Sequence, residues 1–457
     1  MTRPAPPPPP EHSVLLGGAD DAVTLRARLL ARELTAREVA EALLAAIGPD
    51  HLHAWTAVPE PQVLLARATA LDQLEDDRRR RLPLFGVPVA IKDLFDTVDL
   101  PTAYGSPIYA GHRPLADADA VRRLLAAGAL IAGKTKLSEL GCTSPTDALN
   151  PLDPTRTPGG SSTGSAVAVA ARTVPLATGT QTAGSIGRPA SYCGVLGYKP
   201  TFGLLSGDGV KSLAPALDTV GLLARSVPDL RLATRVLAGH PPREPPAPPS
   251  PAPPHIGLAR TLDWDRVDPP ARAAIEALAE AAAAAGARVE EIELPPGFAE
   301  LTAAQATIQW FETAASLAPE RADHPDLLSP DLRAALDAGA AIAPADYADA
   351  KRAAAELAPP LVELLTRHDC LLTPSTTGVP PPRDLGSTGD PHFCRAWTLV
   401  GAPTISVPLA WTTPDHLPAG AQVVSAPHAD ARALAAAAWL LDHIGRPPDM
   451  SGHPCGR

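Results

Sequence analysis

The sequence predicts an α/β protein in which helices cover a β-sheet, because segments with strand and helix character alternate along the chain. The second half shows this most clearly. Residues 255–259 form an apolar strand, Asp268 followed by Pro269 starts a helix that Gly286 ends, and residues 288–294 alternate as a second strand. A strand–helix–strand order of this kind is typical of a sheet flanked by helices.

The first half shows the same alternation. Leucines and alanines recur at helical spacing over residues 24–47, and Thr35 with Glu38 predicts a capping box that begins a second helix within this range. A further helix over residues 119–127 is ended by a glycine, and an apolar strand follows at residues 129–132.

Composition excludes several classes of protein. The chain has 457 residues, of which 45% are hydrophobic and 19% charged, so it can bury a large core. A formal net charge of −11 argues against nucleic-acid binding, and the densest basic run, residues 78–81, follows acidic residues as a solvated helix end would. Five cysteines without a CxxC pair predict neither a disulfide framework nor a zinc site, and no histidine spacing predicts a metal.

A glycine- and serine-rich turn over residues 158–166, ahead of an apolar helix, is the first chemically informative segment. It lacks the Gly-Lys-Ser/Thr ending of a phosphate-binding loop. The turn formally matches the GxSxG elbow of α/β-hydrolases, with Ser162 as nucleophile, and nine histidines follow it. That motif needs a strand directly before it, whereas residues 150–158 contain three prolines, which argues against a core strand there.

Two further segments favour a different interpretation. Residues 86–93 form an apolar strand that ends in Lys92 and Asp93, and residues 178–186 place Ser185 on a turn of small residues after an apolar stretch. Together with the glycine-rich turn they resemble the amidase signature family, over roughly residues 20–445. The segments that carry the resemblance are Gly159-Gly160-Ser161-Ser162, Thr180-Gln181-Thr182-Ala183-Gly184-Ser185, residues 188–195, 197–203 and 217–221, and more weakly 388–391 and 401–403.

The resemblance implies a central mixed β-sheet flanked by helices on both faces, and a Ser–cis-Ser–Lys triad. In this sequence Ser185 would be the nucleophile, Ser161 the bridging serine after a cis peptide bond with Gly160, and Lys92 the base. The chemistry is consistent, since a serine needs a base to become nucleophilic and a buried lysine favours its neutral form. We expect Asp93 to support the structure from the other face of its strand.

The same resemblance implies an oxyanion hole made by the backbone N–H groups of Thr182, Ala183, Gly184 and Ser185. Ser162 matches the family's supporting serine, and an N-cap of the following helix is an equal alternative for it.

The implied activity is hydrolysis of a small-molecule carboxamide through an acyl-serine, without cofactor or metal. An amidotransferase or amide-forming acyl transferase is the alternative on the same triad, and a non-catalytic scaffold is a remote one. Gln181 stands where tRNA-linked glutaminase subunits usually have aspartate, which argues against that role. Gly187 either leaves space beside the nucleophile or loosens the turn. Trp310 and Phe311 wall the acyl pocket or belong to the core.

For the chain as a whole we expect one amidase-signature catalytic domain over residues 14–446. A proline-rich tail over residues 1–13 would be disordered, residues 241–254 would be a surface loop or linker, and residues 447–457 a flexible tail. No apolar run approaches the ~18 residues of a membrane span, and no secretory signal is visible. We therefore predict a cytoplasmic monomer or homodimer without nucleic-acid or membrane partners.

Overall fold

An eleven-stranded mixed β-sheet lies at the centre of the computed structural model, which describes residues 21–142, 144–239, 252–260, 263–409 and 417–444. The strands in chain order are β1 (Trp55–Ala57), β2 (Pro88–Lys92), β3 (Leu130–Thr135), β4 (Leu176–Gln181), β5 (Leu196–Lys199), β6 (Thr219–Ala224), β7 (His255–Ala259), β8 (Arg288–Ile292), β9 (Cys370–Pro374), β10 (Thr404–Pro408) and β11 (Gly420–Val424).

The α-helices of the described residues connect these strands and extend beyond them. They are α1 (Ala22–Leu30), α2 (Ala36–Ile47), α3 (Pro61–Asp72), α4 (Asp76–Arg81), α5 (Asp119–Ala126), α6 (Thr163–Ala170), α7 (Gly187–Cys193), α8 (Val227–Leu237), α9 (Pro269–Ala284), α10 (Phe298–Ser316), α11 (Ala318–Asp323), α12 (Pro330–Ala340), α13 (Pro344–Thr366), α14 (His392–Leu399) and α15 (Asp430–Ile444). Short 3₁₀ turns lie at Pro107–Tyr109, Glu139–Gly141, Trp264–Arg266, Pro325–Leu327 and Arg383–Leu385.

The strand order across the sheet is β1-β3-β2-β4-β6-β5-β10-β11-β9-β7-β8. β2 runs parallel to both of its neighbours, β3 and β4, whereas β4 runs antiparallel to β6. The parallel arrangement brings the carboxyl ends of β2 and β4 to the same edge of the sheet. Lys92 ends β2 and Gln181 ends β4, so the segments that the sequence singled out meet there.

Helices pack on both faces of the sheet, as the resemblance implied. One face is covered by α5, α8, α9 and α15, whose apolar residues form a core with alternate strand residues such as Val89 and Leu222. The opposite face is covered by α2, α3 and α6, which pack on the residues between them, such as Ala90 and Leu223. The central strands, such as β2, β4 and β6, therefore bury both of their faces, whereas the edge strands β1 and β8 are partly exposed.

Several local predictions are confirmed. Thr35 and Glu38 form the capping box at the start of α2, and glycines with positive φ follow the last residues of α5 and α9, at +89° for Gly128 and +102° for Gly286. Asp268 does precede α9, but its side chain makes no capping hydrogen bond. The strand predicted over residues 288–294 ends earlier, at Ile292.

Strands from both sides of the proline tract belong to the same sheet, and the single domain over residues 14–446 stays a prediction. The tails, residues 1–13 and 447–457, and most of the tract at 241–254 lie outside the described residues. Within the described residues, no helix combines the length and the hydropathy that a membrane crossing requires.

Candidate active site

Lys92 is fully buried at the carboxyl end of β2, on the sheet face that carries Ala90. Its Nζ lies 3.0 Å from Ser161 Oγ and 2.6 Å from Thr180 Oγ1, and its backbone N–H donates to Thr178 Oγ1 at 2.9 Å. Burial lowers the pKa of Lys92 from 10.5 to about 7, against the opposing attraction of the Asp218 carboxylate. The amine is therefore available as a base near neutral pH.

Ser161 follows a cis peptide bond with Gly160, the configuration that the resemblance implied. Two contacts fix this turn: Arg188 Nη2 donates to the Gly160 carbonyl at 2.8 Å, and the Ser138 N–H donates to the Ser161 carbonyl at 3.3 Å. Gly159 has φ of +79°, and a Cβ there would lie 2.9 Å from Pro189 Cα, so the glycine is required by both conformation and space.

Ser162 begins α6 and connects the two serine-bearing turns. Its backbone N–H donates to the Ser185 carbonyl at 3.2 Å, and its hydroxyl lies 3.3 Å from both the N–H and the carbonyl of Thr180. The side chain does not cap α6, so the alternative N-cap role is wrong for the hydroxyl. Ser162 Oγ is instead engaged by the backbone of β4, directly beside the Lys92 partner Thr180.

The turn over residues 182–185 is held by its carbonyl groups. Taken in order, the four carbonyls accept hydrogen bonds from Gln305 Nε2 at 2.8 Å, Thr398 Oγ1 at 2.8 Å, the Arg188 N–H at 2.9 Å and the Ser162 N–H at 3.2 Å. The four N–H groups donate to no acceptor in the part of the chain that the structure describes. A row of buried, unused backbone donors is what an oxyanion hole requires.

Gln181 fixes the residues on the far side of this turn. Its Oε1 accepts from the N–H groups of Ile186 at 2.9 Å and Gly187 at 3.0 Å, and its Nε2 donates to Thr398 Oγ1 at 3.0 Å. The expectation of free space at Gly187 is wrong, because a Cβ there would lie 3.2 Å from Cys394 Sγ. Gln181 therefore caps the start of α7, which begins two residues after Ser185.

Ser185 lines a cavity of about 270 Å³. Its side chain is 7% exposed, and no hydrogen bond among the described residues joins its hydroxyl to Ser161 or Lys92. Trp310 lies in the cavity wall, as expected, but Phe311 does not and stacks on Tyr347 with ring centroids 4.3 Å apart. The wall also includes Thr182, Ala183, Arg188, Asp331 and Arg395.

The structure also places Asp93, the two cysteines near the motifs and the turn that bears Ser162. Asp93 lies on the opposite face of β2 from Lys92 and pairs with Lys134 across 2.9 Å, both side chains being buried. Cys142 and Cys193 are buried, and burial raises the pKa of both thiols, so neither is an activated nucleophile. No strand lies directly before the turn that bears Ser162, over the described residues 144–161, which removes the basis for an α/β-hydrolase elbow.

Several contacts at the site were missed by the sequence analysis. Thr180 and Arg188 lie inside the quoted motifs but had no role assigned, although polar residues next to a predicted nucleophile were a usable signal. Gln305 and Thr398, which hold the turn over residues 182–185, lie on α10 and α14 and gave no signal in the sequence.

Comparisons with known proteins identify the family of the chain and agree with its overall fold. A family model described as "Amidase" matches residues 38–434. A crystal structure of an amidase superposes with a TM-score of 0.82 at 32% identity, over 93% of this chain and 99% of that one. The native peptide amidase from Stenotrophomonas maltophilia gives a TM-score of 0.80 at 29% identity, over 95% of this chain and 99% of that one.

Among curated relatives, a glutamyl-tRNA(Gln) amidotransferase subunit of Chloroflexus aggregans is 40% identical over 292 residues. That match covers 58% of this chain and 59% of the relative's length. Since the family model spans most of the chain and the solved amidases share its fold over nearly their whole length, the chain belongs to the amidase signature family.

Proposed function

We propose that this protein hydrolyses a carboxamide through an acyl-serine intermediate on Ser185, with Ser161 as proton bridge and Lys92 as base. The observation that carries the proposal is the buried Lys92 amine, whose pKa is lowered to about 7 and whose Nζ lies 3.0 Å from Ser161 Oγ. Lys199 is buried with a similarly lowered pKa, so burial alone does not identify a base. The contact of the Lys92 amine with a serine hydroxyl is the feature that a base in a proton path requires.

In the acylation step Ser185 Oγ attacks the amide carbon, and its proton passes through Ser161 to Lys92 Nζ. The carbonyl oxygen becomes an oxyanion, which the free N–H groups of residues 182–185 stabilise. The C–N bond then breaks as the proton returns from Lys92 through Ser161 to the leaving nitrogen. Ammonia or an amine departs, and the acyl group remains on Ser185.

Deacylation uses the same groups in reverse order. Water gives its proton through Ser161 to Lys92 and attacks the ester carbon, and the proton then returns to Ser185 as the acid leaves. Ser162 supports both steps by holding Thr180 and the Ser185 carbonyl in place.

The charges in the cavity indicate the substrate class. Arg188 and Arg395 both line it, and Asp331 is the single carboxylate in its wall. Arg188 donates to the Gly160 carbonyl, and Arg395 donates to the side-chain oxygens of Gln305 and Gln309. Burial, reinforced by the nearby charge of Arg188 and opposed by the Asp390 carboxylate, lowers the pKa of Arg395 to about 10. An anionic substituent on the substrate would relieve this repulsion, so we propose an amide that carries a carboxylate.

The proposed nucleophile is tested with a fluorophosphonate probe and peptide mapping. We expect a label on Ser185 alone, because the other serines lack an activated proton acceptor beside an oxyanion hole. Ser185→Ala should abolish both labelling and ammonia release, whereas Ser162→Ala, the matched control on the neighbouring turn, should keep the label. A label on Ser162, or measured amidase activity without any serine label, would contradict the assignment.

The substrate class is tested with pairs of amides that differ only in a carboxylate and its neutral amide isostere. Arg395→Gln should lower kcat/KM for the anionic member by more than for the neutral one. An equal loss for both members would contradict a role of Arg395 in substrate charge recognition.

The second candidate function is amide transfer, which the identity with the amidotransferase relative favours. In that case an amine and not water would take the acyl group from Ser185, or the ammonia released during acylation would pass to an acceptor held by a partner protein. Hydrolysis is supported if the isolated chain releases ammonia at a rate that does not increase when hydroxylamine is added. Hydroxamate formation that dominates over hydrolysis, or activity that depends on a partner protein, supports transfer.

A further inference from the structure

A cluster of two histidines and a glutamate lies at the far edge of the sheet, where β9, β7 and β8 run parallel in that order. His255 is the first residue of β7, His368 lies two residues before β9, and Glu290 is the third residue of β8. These strands are at the opposite end of the strand order from β2 and β4, so the cluster is separate from the triad.

The three side chains converge on one oxygen atom. His255 Nε2 lies 3.0 Å and His368 Nε2 2.9 Å from Glu290 Oε1, and one ligand atom from each residue fits within 4.8 Å of the others. The second carboxylate oxygen, Glu290 Oε2, accepts from Arg288 Nη2 at 3.1 Å, which turns Oε1 towards the two rings. Arg288 itself is 72% exposed, so solvent screens its charge.

The hydrogen bonds of the rings specify which nitrogen faces the cluster. His368 is 4% exposed, and its Nδ1 lies 3.0 Å from the Leu364 carbonyl, which can only accept; Nδ1 therefore carries a hydrogen. His255 Nε2 is shielded from solvent and makes no directed hydrogen bond in the described chain, although Glu290 Oε1 is near. An imidazole with Nδ1–H on a backbone carbonyl and Nε2 turned inwards is the arrangement of a metal-binding histidine.

Gly257 makes room for this arrangement. It pairs with Glu290 in the register of β7 and β8, and a Cβ at this position would lie 3.2 Å from His368 Cδ2. A side chain on residue 257 would therefore push the His368 ring away from the carboxylate.

We propose that His255, Glu290 and His368 bind a divalent transition-metal cation, with Zn²⁺ the best match. Two neutral imidazoles and a carboxylate are a ligand set that Zn²⁺ commonly takes, with bonds of about 2.0–2.2 Å. Such bonds in tetrahedral geometry place ligand atoms about 3.4 Å apart, so the pairs at 2.9 and 3.0 Å need to open by only a few tenths of an ångström. The ion would link β7, β8 and the residues just before β9, and so stabilise this edge of the sheet.

The test measures Zn²⁺ binding by calorimetry to the chelator-treated full chain, with Co²⁺ as a spectroscopic probe of coordination. We expect one saturable site per chain, tetrahedral Co²⁺ absorption and a higher melting temperature with metal. Glu290→Gln and His368→Gln should each weaken binding by at least about 10–100-fold, since removing a ligand costs no less than removing its supporting partner. Circular dichroism establishes that each variant is folded.

The matched control is His53→Gln, which removes the ring of an exposed pair in which His53 Nδ1 lies 3.1 Å from Asp147 Oδ2. This variant should bind Zn²⁺ as the native chain does, and basal amide hydrolysis should be unchanged in Glu290→Gln. The proposal is overturned if the native chain shows no saturable binding. It is also overturned if Glu290→Gln binds like the native chain, because the cluster is then an ion-pair network alone.

Discussion

Replacement of Lys92 by methionine tests the central claim about the site, because methionine has a similar length and no amine. At pH 7 a lysine with the ordinary pKa of 10.5 is neutral in about 1 molecule in 3,000, whereas one with a pKa of about 7 is neutral in about half. The lowering corresponds to about 5 kcal/mol in favour of the neutral amine and follows from complete burial. Since general base catalysis contributes about 10²–10⁴-fold, we expect Lys92→Met to lower kcat/KM by at least about 10²-fold.

The matched control for this variant is Lys199→Met. Lys199 is also fully buried, its pKa is likewise lowered to about 7 by burial, and its Nζ donates to the Pro200 carbonyl at 2.9 Å and to none of the triad residues. Removing either amine relieves a similar cost of burial, and only the loss at Lys92 removes the proposed base. Lys199→Met should therefore keep most of the activity.

The assay is ammonia release from an amide whose own groups do not titrate near neutrality, measured as kcat/KM against pH. The proposed mechanism requires the neutral amine, so kcat/KM should rise with pH through about 7 and lie about 30-fold below its plateau near pH 5.5. A kcat/KM that stays constant from pH 5.5 to values well above 7 would refute the reasoning. So would a Lys92→Met variant within tenfold of the native enzyme, or an equal loss in Lys199→Met.

Further variants test the proposed triad and other buried groups. Gln181→Ala removes the acceptor that holds the N–H groups at the start of α7. Steady-state kinetics should therefore show a larger relative fall in kcat than rise in KM. A change in KM alone would contradict this prediction. Ser161→Ala should cost more activity than Ser162→Ala, and combined with Lys92→Met it should be far from additive, whereas additive losses would place Ser161 outside the proton path. The pKa of Lys199 is lower in the folded chain than in the unfolded chain, so the unfolded chain binds more protons between about pH 7 and 10.5. The free energy of unfolding therefore falls as pH falls through this window. Urea unfolding should accordingly show Lys199→Met stabilised more at pH 7 than at pH 10.5 relative to the native chain, and equal effects at both values would contradict the buried-amine argument.

Much of the fold was accessible from the sequence because its signals are local. The capping box at Thr35, the glycine stops at Gly128 and Gly286, and the strand at residues 255–259 depend on neighbours within a few positions. The same holds for the turn that contains Ser161, since its glycines are required by backbone conformation and close approach.

The identity of the amidase signature family was also determined by the sequence, through an ordered set of short motifs. Each motif is continuous in the chain, so its residues remain recognisable wherever the fold places them. The distance between Lys92 and Ser161, and the lowered pKa that accompanies it, depended on the parallel alignment of β2 with β4 and on burial beneath α6.

Other features were decided only by the tertiary structure. Gln305 and Thr398 hold the turn beside Ser185, and Phe311 points away from the cavity that its neighbour Trp310 lines. The order of strands and the docking of α10 and α14 set these contacts, and no spacing in the sequence encodes them.

The histidine cluster was likewise decided only by the tertiary structure. The spacing of histidines along the chain predicted no metal site, yet His255 and His368 meet on one carboxylate because β7 lies between β8 and β9. Linear spacing reports only ligands that share one helix or turn. Side chains from separate parallel strands come together through strand order, which long-range packing of the whole sheet determines.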